Sequence, residues 1–302
     1  MHGAVPASSR VLVAGANGQL GGAIARTLVA SGVPVRALGR NAQALASFAP
    51  AAEIAAVDMR DVQKLTEACR GIDQIVATAN NNMGRGPTSP GRTDVSAYQN
   101  LCAAARNAGV RRLIYVSFRG VTQDTPVDIF RIKWFIEDAI KRSGVPHVML
   151  RPTAFMETWI DQILAKDIRE KGVATIFGDG HNVANYIAID DVAAFAAKIL
   201  ESTIVNEAID AGGPSNVTQN QLASLLERRF QSPGKRRHIP VAAMRLLPPI
   251  VRPFNEVTAR LMTLGLYSAT VPQAFPDWQL NADRFGLSPM TVESYIARLP
   301  VP

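Results

Sequence analysis

A glycine turn near the start of the chain constrains the fold more than any other feature. A short apolar run, Val11-Leu12-Val13-Ala14, is long enough for one buried strand, and Gly15, Gly18 and Gly21 follow it at even spacing. Beyond them Leu20, Ile24 and Leu28 recur on one helical face. After Ser31-Gly32 a second apolar run extends from Val33 to Leu38. Strand, glycine turn, helix and strand within about 30 residues make a βαβ unit. In such a unit one glycine makes the tight turn off the strand, one lets the backbone approach a pyrophosphate, and one lets helix and strand pack closely. The amides at the helix start, with the helix dipole behind them, favour the charge of the phosphates. The turn therefore predicts dinucleotide binding, with Gly15, Asn17, Gly18, Gln19, Leu20 and Gly21 as the cradle. The alternative is a glycine-rich loop that merely turns the chain; the strand before it and the helix after it are the context a dinucleotide site requires.

The end of the second strand selects the dinucleotide. An acidic residue there would accept hydrogen bonds from the adenosine ribose hydroxyls, as in NAD binders. This chain has Arg40 instead, with Arg36 four residues earlier. A guanidinium pairs in a bidentate way with phosphate, so Arg40 suits the 2′-phosphate of NADP. NADP(H) is the expected cofactor.

Short apolar strands continue to alternate with amphipathic helices. Ala52–Val57 reads as a third strand, Val62–Cys69 as a helix capped by Asp61, and Ile72–Ala77 as a fourth strand. A helix from Asp94 to Asn107 precedes a fifth strand, Leu113–Ser117, and Val145–Leu150 is a sixth. This alternation predicts an α/β fold, a Rossmann-type doubly wound parallel sheet. Ligands bind beyond the carboxyl ends of such strands. The strand-end residues Asp58, Met59, Thr78, Ala79 and Asn80 are therefore candidates for the adenine and nicotinamide sides. Asp58 either accepts from the adenine amino group or closes a turn. The polar, glycine- and proline-rich segment from Asn80 to Arg92 reads as irregular, either a lid or a connection.

Composition excludes several classes. Only 19% of the 302 residues are charged, yet the net charge is +7. The basic runs Arg111-Arg112 and Lys235-Arg236-Arg237-His238 lack interleaved aromatics, so they read as solvated charge and no nucleic-acid partner is expected. Cys69 and Cys102 lack metal-ligand spacing and read as reduced packing residues, and His181 and His238 are isolated, so no metal is expected. Residues 1–9 lack the apolar region of a signal peptide and read as a mobile tail. No apolar stretch reaches the roughly 20 residues of a membrane span. A cytoplasmic protein is the expectation.

The G-x-x-G-x-x-G spacing resembles the short-chain dehydrogenase/reductase superfamily, particularly its extended and atypical members. The run Phe130 to Trp159, FRIKWFIEDAIKRSGVPHVMLRPTAFMETW, narrows this, as do Asp190-Asp191-Val192-Ala193 and Gly212-Gly213-Pro214. Together with the GANGQLG turn and Arg40 they closely resemble the NmrA-like family of atypical short-chain dehydrogenases. The resemblance implies that Ser117, at the end of the fifth strand, orients substrate. It also implies that Lys133 anchors the nicotinamide ribose and takes part in acid/base work. In a typical member Tyr-x-x-x-Lys supplies the proton donor, but here Ile129 stands four residues before Lys133, so the catalytic tyrosine is absent. Tyr115 lies within the preceding strand and does not replace it by register. The segment Arg151 to Met156 is expected to pass the nicotinamide, with Thr153 and Phe155 touching cofactor and Phe118, Phe155 and Met156 walling the substrate pocket.

Glu157 to Glu170 reads as a helix that leaves the cofactor half, and from Gly172 the pattern changes to short strands, turns and proline-interrupted helices. The expected organisation is a cofactor domain over residues 10–156 and a smaller α/β substrate domain over 157–302, interleaved with the first. The apolar segment MRLLPPIV, residues 244–251, covers a substrate, touches a membrane surface, mediates a homodimer or simply packs. The leading expectation is an NADP(H)-dependent reductase that delivers hydride to a small apolar carbonyl, quinone, imine or activated alkene. The alternative is a non-catalytic NADP(H) sensor or scaffold that acts through a protein partner.

Overall fold

The structure is a computed structural model that describes residues 9–82, 84–232 and 235–301. The tail expected over residues 1–9 therefore lies, but for Ser9, outside the described residues. The strands in chain order are β1 (Val11–Ala14), β2 (Val35–Gly39), β3 (Glu53–Ala56), β4 (Gln74–Ala77), β5 (Arg112–Val116), β6 (His147–Pro152), β7 (Ala154–Phe155), β8 (Val173–Phe177), β9 (Val183–Ile187), β10 (Glu207–Ala211), β11 (Asn216–Thr218) and β12 (Lys235–Ile239). The helices that matter below are α1 (Gln19–Ala30), α2 (Ala42–Phe48), α3 (Val62–Cys69), α4 (Pro90–Asn107), α5 (Asp128–Arg142), α6 (Lys166–Lys171), α7 (Ile189–Glu201) and α8 (Gln219–Phe230).

Seven strands form one sheet in the order β10-β6-β5-β4-β1-β2-β3. The ladders from β3 through β2, β1, β4 and β5 to β6 are all parallel. Every residue of β1, β4 and β5 is buried. That is the reason these strands read as unbroken apolar runs: helices cover both faces of a parallel sheet. The order in which strands are added reverses between β1 and β4, whose neighbours run outward to β2-β3 on one side and β5-β6 on the other. The two carboxyl ends at that switch point are the natural place for a ligand.

The chain divides into two compact units. The first comprises the chain up to Thr125, Ile129–Arg151 and Ile189–Asp210; the second comprises Pro126–Asp128, Pro152–Ala188 and Ala211–Pro302. The return of residues 189–210 to the first unit differs from a simple division at residue 156. It follows from β10 joining the sheet beside β6 and from α7 packing along α1. The core of the first unit gathers Leu12, Leu38, Leu65, Ile75, Leu101, Leu113 and Ile136 around the buried rings of Tyr98 and Tyr115. The second unit holds two small sheets, β11-β9-β7 and β12-β8, around a core that includes Met156, Ile160, Tyr186, Leu222 and Leu226.

Local signals explain most element ends. The Asp61 carboxylate accepts from Lys64 N at 3.1 Å and caps α3, and Thr218 and Gln221 form a reciprocal capping box at the start of α8. Two expectations need correction. Helix α4 starts at Pro90, four residues before Asp94, because proline is tolerated in a first turn where its missing N–H has no partner to lose. A short 3₁₀ turn, Gly86–Thr88, also interrupts the segment read as irregular. The basic run at 235–238 is exposed, as its charge predicts, and it forms β12, a strand parallel to β8; charge commonly protects such edge strands. In it Arg236 pairs with Glu227, and Arg237 donates to Thr175 Oγ1 at 2.8 Å. Asp190 lies inside the first turn of α7.

The reading of Arg111-Arg112 as solvated charge fails at Arg112, which is buried among neutral acceptors at the amino end of the sheet. Its guanidinium donates to Gln74 Oε1 (2.6 and 2.9 Å), to Ile199 O (2.9 Å) and Leu200 O (3.0 Å) in the last turn of α7, and to Ile204 O (2.7 Å). A cation there satisfies terminal carbonyls and opposes the negative end of the helix dipole. Arg112→Met keeps the stem and removes every donor, so urea unfolding should show a loss of roughly 3 kcal/mol. A loss below about 1 kcal/mol would mean that water replaces the guanidinium at little cost.

Candidate functional site

The site is built at the carboxyl ends of β1, β2, β4 and β5, all within the first unit. Gly15 leaves β1 with φ +88°, a conformation that side chains oppose. A Cβ placed on it would lie 2.7 Å from Ala79 N, and one on Gly21 would lie 2.2 Å from Gly15 O. Thr78 closes the same junction from the β4 side, its N–H and hydroxyl both donating to Ala14 O at 2.9 and 3.1 Å. Gly18 differs: a Cβ there would meet only Gly15 O, at 3.4 Å, and the residue is exposed. The three glycines thus divide as turn, open approach and close packing in chain order. No side chain caps α1 and no acid lies in its first turn, so nothing built into the chain competes with an anion there.

The structure separates the two arginines of β2. Arg36 is engaged by Glu53 at 2.9 Å and by the carbonyls of Ala68 and Arg70 at 2.7 and 3.0 Å. Arg40 is exposed and, among the described residues, has no hydrogen bond or ion pair. A Cβ on the adjacent Gly39 would fall 2.6 Å from Asn17 Oδ1, which brings the glycine turn against the end of β2 beside Arg40. The glycine turn and an uncommitted guanidinium therefore lie on neighbouring strand ends.

The other strand-end candidates take more local roles. Asp58 accepts from Arg60 N at 2.9 Å and holds the Arg60 guanidinium through both oxygens, and this contact lowers its pKa; closing a turn is the role the structure displays. Met59 is buried in the core, and its carbonyl accepts from Asn100. Ala79 O accepts from Tyr98 Oη at 2.8 Å, and Asn80 Nδ2 turns back to Thr78 O.

At the end of β5, Ser117 is buried and its Oγ has no hydrogen-bond partner among the described residues. Phe118 stacks on Phe130, centroids 4.4 Å apart. Lys133 reaches from α5 to this strand end. Its Nζ donates to Val116 O at 3.1 Å and sits 5.2 Å from the centre of the Tyr115 ring. Burial of the ammonium lowers the Lys133 pKa to about 8, against the fields of Asp94 and Glu137, which raise it. Tyr115 cannot serve as the missing phenolic donor, because it is fully enclosed and burial holds its hydroxyl well above the usual range.

Thr153, Phe155 and Met156 fall in the second unit. Thr153 is buried and donates its hydroxyl to Asn185 Oδ1 at 2.9 Å, inside a network that also holds Gly213. Phe155 is half-buried in β7, whereas Met156 is completely buried in the core of its unit. Packing accounts for Met156 without a pocket.

Sequence reading missed Asp94. It is 7% exposed, accepts from Asn81 N and Thr93 Oγ1 at 3.0 Å each, and burial raises its pKa while Lys133 and Arg40 act to lower it. The available signal was its place in the helix that follows the β4 loop. No group of three or more His, Cys, Asp or Glu side chains among the described residues is arranged to hold a metal.

Comparison with known proteins agrees with this geometry. The sequence pattern of the NAD(P)H-binding family matches residues 15–203. The chain is 30% identical over 273 residues to (4-alkanoyl-5-oxo-2,5-dihydrofuran-3-yl)methyl phosphate reductase of Streptomyces griseus, across 87% of this chain and 90% of that protein. It is 28% identical to the NAD(P)H azoreductase of Xenophilus azovorans over 219 residues, 72% of each chain. Its fold matches that of an NADPH-dependent quinone oxidoreductase from Escherichia coli, in complex with NADPH, with a TM-score of 0.79 at 20% identity over 95% of this chain and 98% of that one. The chain belongs to the NAD(P)H-binding family, among NAD(P)H-dependent reductases.

Proposed function

We propose that this protein is an NADPH-dependent reductase of the NmrA-like type, acting on a small, largely apolar electrophile such as a carbonyl, quinone, imine or activated alkene. The carrying observation is Lys133, a half-buried lysine with its pKa lowered to about 8, placed at the end of β5 beside the unpartnered Ser117 hydroxyl. The residues present fit the cofactor. Gly15, Gly18 and Gly21, with Asn17, Gln19 and Leu20, would hold the pyrophosphate at the start of α1; Arg40 would hold the 2′-phosphate; Lys133 would hold the nicotinamide ribose. When bound, the reduced nicotinamide supplies the hydride.

The protein's own part is to bind, orient and move one proton. Lys133 Nζ carries that proton, delivers it to the reduced substrate and recovers it from water, so one hydride and one proton are added in each turnover. A pKa near neutrality makes the ammonium a better acid than an ordinary lysine while leaving it mostly charged at pH 7. Ser117 Oγ has an open hydrogen bond to offer a polar substrate atom. The absence of a phenol at Ile129 favours a second reading, in which the protein binds NADPH and acts as a sensor without turnover.

Calorimetry should show tighter binding of NADPH than of NADH. Arg40→Ala should weaken NADPH binding by about 10- to 100-fold, the loss expected of one charge-assisted phosphate contact, and leave NADH nearly unchanged. Equal affinities in the unaltered protein would sink the NADP assignment.

Turnover is tested with a panel of quinones, enones and imines, following NADPH absorbance. The charged form of Lys133 predominates below pH 8 and is lost above it, so kcat/KM should fall as pH rises through about 8. Lys133→Ala should lower kcat by about 100-fold or more and abolish that limb. A full rate in Lys133→Ala would remove the proton-transfer role, and no turnover with any acceptor would favour the sensor.

A further inference from the structure

We propose that Asp94 is a positioning residue for Lys133: its fixed carboxylate is the counter-charge that keeps the lysine ammonium protonated at the ends of β4 and β5. The inference rests on the role given to Lys133 above and extends the site to α4.

Six contacts bring the two groups to one place. Asp94 is tied to the end of β4 through Asn81 N, and Thr93 Oγ1 holds its other oxygen. One turn further along α4, Tyr98 sends its hydroxyl to Ala79 O, the second residue beyond β4, at 2.8 Å. The Tyr98 ring meets the Tyr115 ring edge to face, centroids 4.9 Å apart. Lys133 Nζ lies over the same Tyr115 ring at 5.2 Å and donates to Val116 O. Strands β4 and β5 are direct neighbours, with Ala77 opposite Tyr115. Asp94 and Lys133 therefore approach the same pair of strand ends across one tyrosine pair.

Charge accounting favours Asp94 as the partner. Two carboxylates act on Lys133, Asp94 from α4 and Glu137 from the next turn of α5. Glu137 is already engaged: Arg151 holds both its oxygens, and Lys141 approaches at 3.7 Å. Asp94 has no ion pair within 4 Å among the described residues, and the cations acting on it are Lys133 and Arg40. A buried carboxylate without a contact partner is costly unless a nearby cation offsets it. Lys133 is such a cation, and the attraction is reciprocal. Asp94 favours the charged lysine where desolvation opposes it, and its anchored oxygens draw the ammonium toward β4. Its hydrogen bonds to Asn81 and Thr93 prevent it from collapsing into a closed salt bridge that would occupy the lysine.

Asp94→Asn is close to isosteric, and its amide oxygen still accepts from Asn81. The measurement is the titration of Lys133 in the cofactor-free protein, read by the pH dependence of its labelling with an amine-acylating reagent and located by peptide mass spectrometry. In Asp94→Asn the midpoint should move from about 8 downward by about half a unit to one unit. The basic limb of kcat/KM should move with it, and Asp94→Glu should restore both toward the starting value. Reciprocity supplies a second reading that does not need that variant to fold. In Lys133→Met the Asp94 carboxyl, followed by carbon NMR, should titrate at higher pH than in the unaltered protein. An unmoved Lys133 midpoint in folded Asp94→Asn, or an unmoved Asp94 midpoint in Lys133→Met, overturns the proposal. Both titrations are read without substrate, so absence of turnover with every acceptor would count against the reductase reading alone.

Discussion

The junction between the carboxyl ends of β1 and β4 is the contact on which the site depends. Gly15, Gly21, Thr78 and Ala79 meet there with no room for an added Cβ at either glycine. Because the β1 and β4 ends are locked together, α1 must begin close against the sheet, and Gly18 is left as the open, exposed member of the turn. The same junction sets β4 beside β1 at the point where strand order reverses, which is where a doubly wound sheet leaves a crevice. A Cβ at Gly21 would push the first turn of α1 away from the turn that precedes it, and the anion-binding amides would move with it.

Around that junction, charge is divided between groups that hold the fold and groups left available. Arg36, Arg112 and Arg151 are each engaged by carboxylate or carbonyl oxygens, as is Asp58 by Arg60. Among the described residues Arg40 has no such partner, and Lys133 contacts a backbone carbonyl and the face of a tyrosine. A cation that the fold does not neutralise retains its field for a ligand, and a half-buried one also titrates closer to neutrality. The basic balance of the whole chain matters less than this division, since exposed charges are screened over about 10 Å at ordinary salt. Net charge does not distinguish Arg36 from Arg40; their partners do.

Much of this was legible in the residues because the relevant signals are local. Apolar runs, the G-x-x-G-x-x-G spacing and the capping aspartate Asp61 all act over a few residues, and each appears where the pattern predicts. The misplaced features depended on partners distant in the chain. Strand β12 is four polar or charged residues and one isoleucine, and it is a strand because β8 offers it a ladder. Asp94 looked like the start of a helix; its burial comes from Asn81, Thr93 and the tyrosine pair beneath it. Asp58 and Arg60 are only two residues apart, yet which ligand the carboxylate takes is a matter of side-chain geometry that spacing does not express.

The sequence by itself determined the parallel α/β sheet, the dinucleotide turn, the arginine at the end of the second strand and the lysine without its tyrosine. The first three follow from periodicity, glycine spacing and residue chemistry, which need no knowledge of distant contacts; the significance of the lysine is what the family resemblance implies. Only the tertiary structure decided which glycine stays open, which arginine stays uncommitted and that Asp94 is buried. The physical reason is that availability is a property of neighbours. A side chain is free, buried or titratable according to what the fold places within a few ångströms of it.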